Sequence, residues 1–278
     1  VHQWLKNVLL FVPLLAAHQI GNIQSLSTLI LAFISFSLCA SAVYMTNDLL
    51  DLESDRRHPR KRNRPFAAAT LPIAAGAVIA PLFAIVSLIL GMMVGSTFLA
   101  WLIVYFVLTT AYSLALKRIA LVDCLTLAAL YTLRIIAGAA AVSVILSFWL
   151  LAFSVFIFLS LAFVKRYAEL QVQAQAGNGH AHGRGYAVSD APLVQTLGIA
   201  AGYSAVLVLA LYLHSETVTA LYAQPVLIWF AVPLLLFWIS WVWLKAHRGE
   251  MHDDPIVFAI KDKASLVVAG LTAAAFVI

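Results

Sequence analysis

Apolar runs of membrane-crossing length, broken by short polar stretches, fill this chain from end to end. They lie near 7–20, 26–50, 72–94, 97–115, 121–142, 147–168, 193–213, 224–244 and 264–278. A bilayer core is spanned by roughly 17 to 25 mostly apolar residues in a helix, so each run predicts one membrane helix, the first and last of them short. Nine helices and no strands are expected, because a helix satisfies its own backbone polar groups within the hydrocarbon. Pro13 falls inside the first run and predicts a kink there. Pro72 opens the third, a place suited to a first helical turn. The run 73–94 carries Gly76 and Gly91 and no charge, so it is expected to pack or to face lipid.

Composition supports an integral membrane protein. Hydrophobic residues make up 63% of the chain and charged ones 10%, with mean hydropathy +0.97, whereas soluble domains carry roughly 25% charge. Sixteen of the seventeen Lys and Arg lie before the first run or in the connections after even-numbered runs; the other is Arg134. By the positive-inside rule that side is the cytoplasm, which puts the N-terminus inside and predicts a bacterial-type inner, or plasma, membrane location. Eleven of the twelve acids, all but Glu216, fall on the same side, so chemistry is expected there. The net charge of +5 follows from this placement and suits anionic membrane lipids; it carries no nucleic-acid inference. Cys39 and Cys124 sit inside predicted spans and are expected to be core residues rather than a disulfide framework. The chain opens at Val1 in what looks like mid-segment, which leaves room for further residues or a soluble domain upstream. A leader peptide is not expected, because more spans follow the first apolar stretch.

The densest chemistry is at 47–65, where four acids and six bases follow the second run. At 100° per residue, Asn47, Asp48, Asp51 and Asp55 share about a 100° arc of one helix face, and Glu53 points away. Mg²⁺ is commonly held by one or two carboxylates together with substrate phosphates, so this spacing suits a Mg²⁺-diphosphate. Lys61, Arg62 and Arg64 are then candidates for the remaining phosphate charge. A solvated helix end with a positive-inside loop would explain the bases but not the aligned acids.

The other polar positions are fewer. Lys6 and Asn7 stand at the cytoplasmic end of the first run. Tyr112 and Lys117 close the fourth, where Lys117 and Arg118 also read as interfacial anchors. Arg134 lies within the fifth and needs a polar cavity or a partner; Asp123, on nearly the same helix face, offers a structural ion pair. Lys165, Arg166, Tyr167 and Glu169 end the sixth, with Lys165 and Glu169 at i, i+4. Gly138, among alanines, predicts close backbone approach. The stretch 171–192 looks flexible and suits a lid; its His180 and His182 are weak metal candidates. Asp254 and Asp262 add a last polar cluster and share a helix side.

The segment Asn47-Asp48-x-x-Asp51-x-x-x-Asp55 at the end of span two of nine resembles the UbiA superfamily of intramembrane prenyltransferases, and the likeness extends over 1–278 as one transmembrane domain. Gln3-Trp4-Leu5-Lys6-Asn7, the segment from Asn47 through His58-Pro59 and Lys61-Arg62 to Arg64-Pro65, Leu133-Arg134-Ile135-Ile136-Ala137-Gly138 and Lys165-Arg166-Tyr167-Ala168-Glu169-Leu170 look closest to its decaprenyl-phosphate phosphoribosyltransferase branch. The resemblance implies an all-α fold of nine helices around a central cavity open to the cytoplasm, with Mg²⁺ as cofactor. Aromatic-acceptor members usually carry a second Asp-rich motif after span six, where this chain has Lys165 and Arg166. That exchange favours a second phosphorylated substrate over a second metal.

The implied reaction moves 5-phosphoribose from phosphoribosyl diphosphate to a polyprenyl phosphate. Asp48, Asp51 and Asp55 would hold the metal and Asn47 would orient them; Lys61, Arg62 and Arg64 would take the donor phosphates. Lys6, Lys165 and Arg166 would bind the lipid phosphate. Asn7, Tyr112, Lys117, Arg134, Tyr167 and Glu169 are further candidates for orienting either substrate. Prenyl transfer to a small aromatic acceptor is the rival enzyme reading, and a phosphorylated-lipid transporter the non-enzymatic one. A homo-oligomer is compatible with this pattern.

Overall fold

The structure, a computed structural model, describes residues 2–17, 19, 21–57, 61–177, 184–214, 225–251 and 254–277, without the side chains of 2, 3, 54, 57, 61, 225, 226, 276 and 277. Among these residues the chain is helical and contains no strand. Its α-helices, in chain order, are α1 (Val12–Ala16), α2 (Ile23–Leu50), α3 (Leu52–Arg57), α4 (Ile73–Val94), α5 (Ser96–Leu114), α6 (Val122–Ala141), α7 (Phe148–Gln175), α8 (Ala191–Leu213), α9 (Pro225–Ile228), α10 (Ala231–His247), α11 (Pro255–Lys261) and α12 (Lys263–Val277).

Six apolar helices are long enough to cross a membrane: α2, α4, α5, α6, α7 and the stretch Val188–Leu213 that contains α8. Trp4–Ala16, Ala231–His247 and Lys263–Ala275 are apolar but shorter. The first run differs most from expectation, since residues His2–Phe11 form a 3₁₀ helix and only then does α1 begin. Pro13 sits in the first turn of α1, where a missing N–H costs no helical bond, and so starts a helix rather than kinking one. The eighth run begins at Ala231 because Pro225–Ile228 turns separately. In the sixth, α7 continues to Gln175, past the expected end at 168, and thus carries Lys165 to Glu169 within a helix.

Local chemistry sets several helix ends. The Asn22 side chain accepts from the Gln24 and Ser25 N–H groups and caps α2, and Ser147 accepts from Trp149 N–H at the start of α7. Gly95, at φ 148°, lets the chain reverse between α4 and α5 where a side chain would strain it.

Two compact units emerge: residues 1–114 with 133–146, and residues 115–132 with 147–278. In the first, α2 packs on α4, α5 and the 3₁₀ segment. Ser35 Oγ donates to Ser87 O at 2.8 Å and Ser87 Oγ donates to Ser35 O at 2.7 Å, a reciprocal clasp between α2 and α4. A Cβ on Gly138 would overlap the Leu10 backbone, so the expected close approach there is real. In the second unit α7 packs on α8, α8 on α10, and α10 on α12. Trp243 Nε1 donates to Ser160 Oγ, which donates to Gly198 O at 2.7 Å. Gly198 has no room for a Cβ beside the Trp243 ring.

Candidate functional site

The helical hydrogen bonding of α2 runs on through the turn at Asp51, whose N–H reaches Asn47 O and whose carbonyl accepts from Asp55 N–H. The 47–55 segment thus keeps nearly one helical phase. The Glu53 side chain is exposed, while Asp55 is 1% exposed, as the arc argument requires. Arg64, returning from the basic loop, places Nη1 at 2.8 Å from Asp48 Oδ1 and 2.8 Å from Asp55 Oδ2. Two carboxylates therefore converge on one cationic atom.

That convergence tests whether the residues suit a divalent ion. Hard carboxylate oxygens facing one positive centre are the donor set Mg²⁺ takes when phosphates complete its shell. Among the described residues no three His, Cys, Asp or Glu side chains form a metal cage, so Asp51 is not gathered with Asp48 and Asp55. Two carboxylates alone would leave most of such an ion's shell to other ligands. The Asn47 amide donates to Ser113 Oγ at 2.7 Å and thereby ties α2 to α5. Arg62 is exposed, and Lys6, Tyr112 and Lys117 are half-buried; the Lys61 side chain lies outside the described residues.

Two further candidates from this unit prove to be internal. Arg134 is 3% and Asn7 0% exposed. Arg134 Nε donates to Asn7 Oδ1 and Nη2 to Tyr105 OH, both at 3.0 Å, and the guanidinium lies over the Tyr105 and Phe36 rings. Asn7 donates in turn to Ser37 Oγ. This arginine links α6 to the 3₁₀ segment, α2 and α5, and the anticipated pair with Asp123 does not form. Eleven residues of helix separate the two by about 16 Å.

Asp123 has another partner, in the second unit. Arg166 and Asp123 are both 0% exposed and their Nη2 and Oδ2 stand 2.5 Å apart; Arg166 also pairs with Glu169. Tyr186 OH donates to Asp123 Oδ1 at 2.7 Å and accepts from Leu121 N–H. Burial, above all, and the neighbouring Cys124 and Asp123 push the Tyr186 phenol well above its ordinary pKa, which keeps the hydroxyl a donor to the carboxylate. Gly185 lies so close to Arg118 O that no Cβ fits. Arg184 approaches Asp123 at 3.7 Å with a fifth of its side chain exposed. The expected role of Arg166 as a phosphate ligand is thereby corrected, because its charge is compensated inside the protein.

Lys165, one position earlier, points elsewhere. Consecutive helical residues diverge by about 100°, and here the two bases meet different acids. Lys165 Nζ lies 3.3 Å from Asp254 Oδ2 with a third of its side chain exposed, instead of pairing with Glu169. The Tyr167 hydroxyl is internal as well: it bonds His247 Nδ1 at 3.0 Å and accepts from Gln171 Nε2. Asp254 and Asp262 do not line one helix side but stand at the starts of α11 and α12. Of the 171–192 segment, residues 178–183, with His180 and His182, lie outside the described residues.

Comparison with known proteins gives this geometry a context. The UbiA prenyltransferase family profile matches residues 8–276. The Sinorhizobium fredii protein y4nM is 38% identical over all of this chain but only 54% of its own length; the nodulation protein NoeC of Azorhizobium caulinodans is 37% identical over 96% of this chain and 86% of its own. Decaprenyl-phosphate phosphoribosyltransferase of Mycobacterium tuberculosis is 38% identical over 174 residues, 61% of this chain and 58% of that enzyme. This chain thus spans little more than half the length of two of these relatives. In fold it is similar to a UbiA homolog from Archaeoglobus fulgidus solved with GPP and Mg²⁺, at a TM-score of 0.67 and 14% identity over 99% of this chain and 96% of that one.

Proposed function

Because this chain belongs to the UbiA prenyltransferase family, we propose that it transfers 5-phosphoribose from phosphoribosyl diphosphate to a polyprenyl phosphate, with Mg²⁺ and with release of diphosphate. The observation that carries this reading is the pair Asp48 and Asp55 converging on Arg64, an acid-and-base set matched to a diphosphate and its counter-ion. Identity with decaprenyl-phosphate phosphoribosyltransferase over 61% of the chain supports the choice of branch.

In the reaction a lipid phosphate oxygen attacks C1 of the ribose, the C1–O bond to diphosphate breaks, and diphosphate leaves with the electron pair. The attacking oxygen is already anionic, so no general base is needed. Asp48 and Asp55 would hold the metal, which would supply Lewis-acid stabilisation of the leaving charge. Arg64 would release its carboxylates to the incoming phosphates, with Lys61 and Arg62 beside it in the loop. Lys165 would take the phosphate of the acceptor. The chemistry would lie on the cytoplasmic side, where the positive-inside rule puts the bases.

A second reading, prenyl transfer from an isoprenyl diphosphate to a small aromatic acceptor, is favoured by the fold likeness to the homolog solved with GPP and Mg²⁺. One assay separates the two. Purified protein in lipid nanodiscs receives Mg²⁺, decaprenyl phosphate and labelled phosphoribosyl diphosphate; label is expected in the lipid fraction, and its loss on chelation marks the metal requirement. No label in lipid, together with prenylation of hydroxybenzoate from an isoprenyl diphosphate, would overturn the proposal.

A further inference from the structure

Gly198 and Gly202 stand one turn apart on α8, and α10 closes on them: a Cβ on the first would overlap the Trp243 ring, and one on the second Ile239. Small residues at this spacing let two membrane helices approach. The contacts advance along α8 while receding along α10, so the two helices are antiparallel. One position round from this seam α8 carries Gln195, Ile199 and Tyr203 at i, i+4 and i+8, and α10 answers with exposed Ser240, Leu244 and His247. Between the two rows runs a groove of about 300 Å³, with Ile239 and Trp243 in its wall. Eight residues of helix give it a length of about 12 Å.

Its two ends differ. Toward the middle of α8, Tyr203 OH and Ser240 Oγ are 3.1 Å apart and the serine donates to Leu236 O at 2.8 Å, so the phenol is the donor and both hydroxyls are satisfied. At the other end, Gln171 Nε2 donates to Tyr167 OH at 2.7 Å, which leaves the phenol proton for His247 Nδ1 at 3.0 Å and puts the imidazole's own N–H on Nε2. The Gln195 amide shares this end, and exposed Arg248 follows Leu244 by one turn on the same face. Among the described residues no carboxylate lines the groove, and Glu250, beyond the helix, pairs with Lys245. Donors and positive charge gather at the basic end, and the rest of the wall is mostly apolar.

Size and polarity together select the occupant. A helix of the same length, about 10 Å across, fills roughly 900 Å³, so a protein helix is too thick for this space. One extended hydrocarbon chain suits it, and an acidic head group suits the donors, as in the basic pockets between membrane helices that hold anionic lipids at the cytoplasmic face. We propose that the groove between α8 and α10 binds one anionic phospholipid of the bilayer, its phosphate at His247, Gln195 and Arg248 and one acyl chain along Ile199, Leu244 and Trp243. The inference needs no catalytic reading of the chain and holds whichever group the protein transfers.

Native mass spectrometry of the full chain, released from nanodiscs of equal parts phosphatidylglycerol and phosphatidylcholine, tests it. One phosphatidylglycerol per chain is expected to be retained in preference to phosphatidylcholine. Arg248→Gln should lower that preference about fivefold, the effect of one base near a membrane surface. Ile199→Phe should lower the occupancy by filling the seat of the chain while leaving every charge in place, and Leu197→Phe, on the opposite side of α8, should change neither. The first two substitutions act on different parts of the lipid, so either decides the matter should the other fail to fold. Absence of the preference, or a preference that survives both, overturns the inference. Displacement of the phosphatidylglycerol by an equal amount of decaprenyl phosphate also overturns it, by making the groove the seat of the acceptor, and so does a dimer that Ile199→Phe dissolves.

Discussion

Asp55 and Glu53 are two residues apart on one short helix and have opposite fates. Asp55 is 1% exposed and bonded to Arg64, whereas Glu53 faces solvent. If the buried acid shares a metal with substrate, Asp55→Asn should lower phosphoribosyl transfer by about 10- to 100-fold, a loss of the size seen when metal-site partners are removed. Glu53→Gln should stay within about twofold, as surface substitutions do. Steady-state rates of the two variants at saturating Mg²⁺ check this; equal losses would contradict the helix-face argument. That face was legible because helical phase is local. The partner of Arg166 was not, since Asp123 lies more than forty residues away and no periodicity connects them.

At the level of elements, polar groups at helix ends hold the second unit in order. Asp262 receives the Ser265 N–H at 2.8 Å, the Ser265 hydroxyl at 2.9 Å and Trp241 Nε1 at 3.1 Å, and so ties the start of α12 to α10. Burial alone would raise its pKa, but these bonds and nearby Lys245 outweigh it, and the carboxyl lies below its ordinary 3.8. A depressed carboxyl stabilises the fold above the unfolded value and loses that effect as pH falls through the folded one. The difference in Tm between wild type and Asp262→Ala should accordingly be constant above about pH 5 and close as the pH drops below 3.8. Thermal unfolding across that range measures it. Boundaries of elements were less legible than their existence. The continuation of α7 past 168 goes with the complete burial of Leu170, a tertiary contact that a hydropathy run cannot register.

For the whole molecule, charge placement makes the broadest prediction. Ile145, 95% exposed in the connection after α6, carries no neighbouring Lys or Arg, whereas exposed Arg248 lies among bases after α10. In intact cells Ile145→Cys should react with a membrane-impermeant maleimide, and Arg248→Cys only after permeabilisation. The native Cys39 and Cys124 are buried, so background labelling should be low. The reverse pattern would invert the proposed orientation. From the sequence by itself came the membrane class, the helical fold, the side on which charge collects and the acidic face after α2, all set by hydropathy, charge and helical period within short windows. Only the tertiary structure decided which charges are compensated internally. Arg134 joins Asn7 and Tyr105, Arg166 joins Asp123, and Lys165 meets Asp254, because burying a charge demands a partner and partners are chosen by proximity in space, not along the chain.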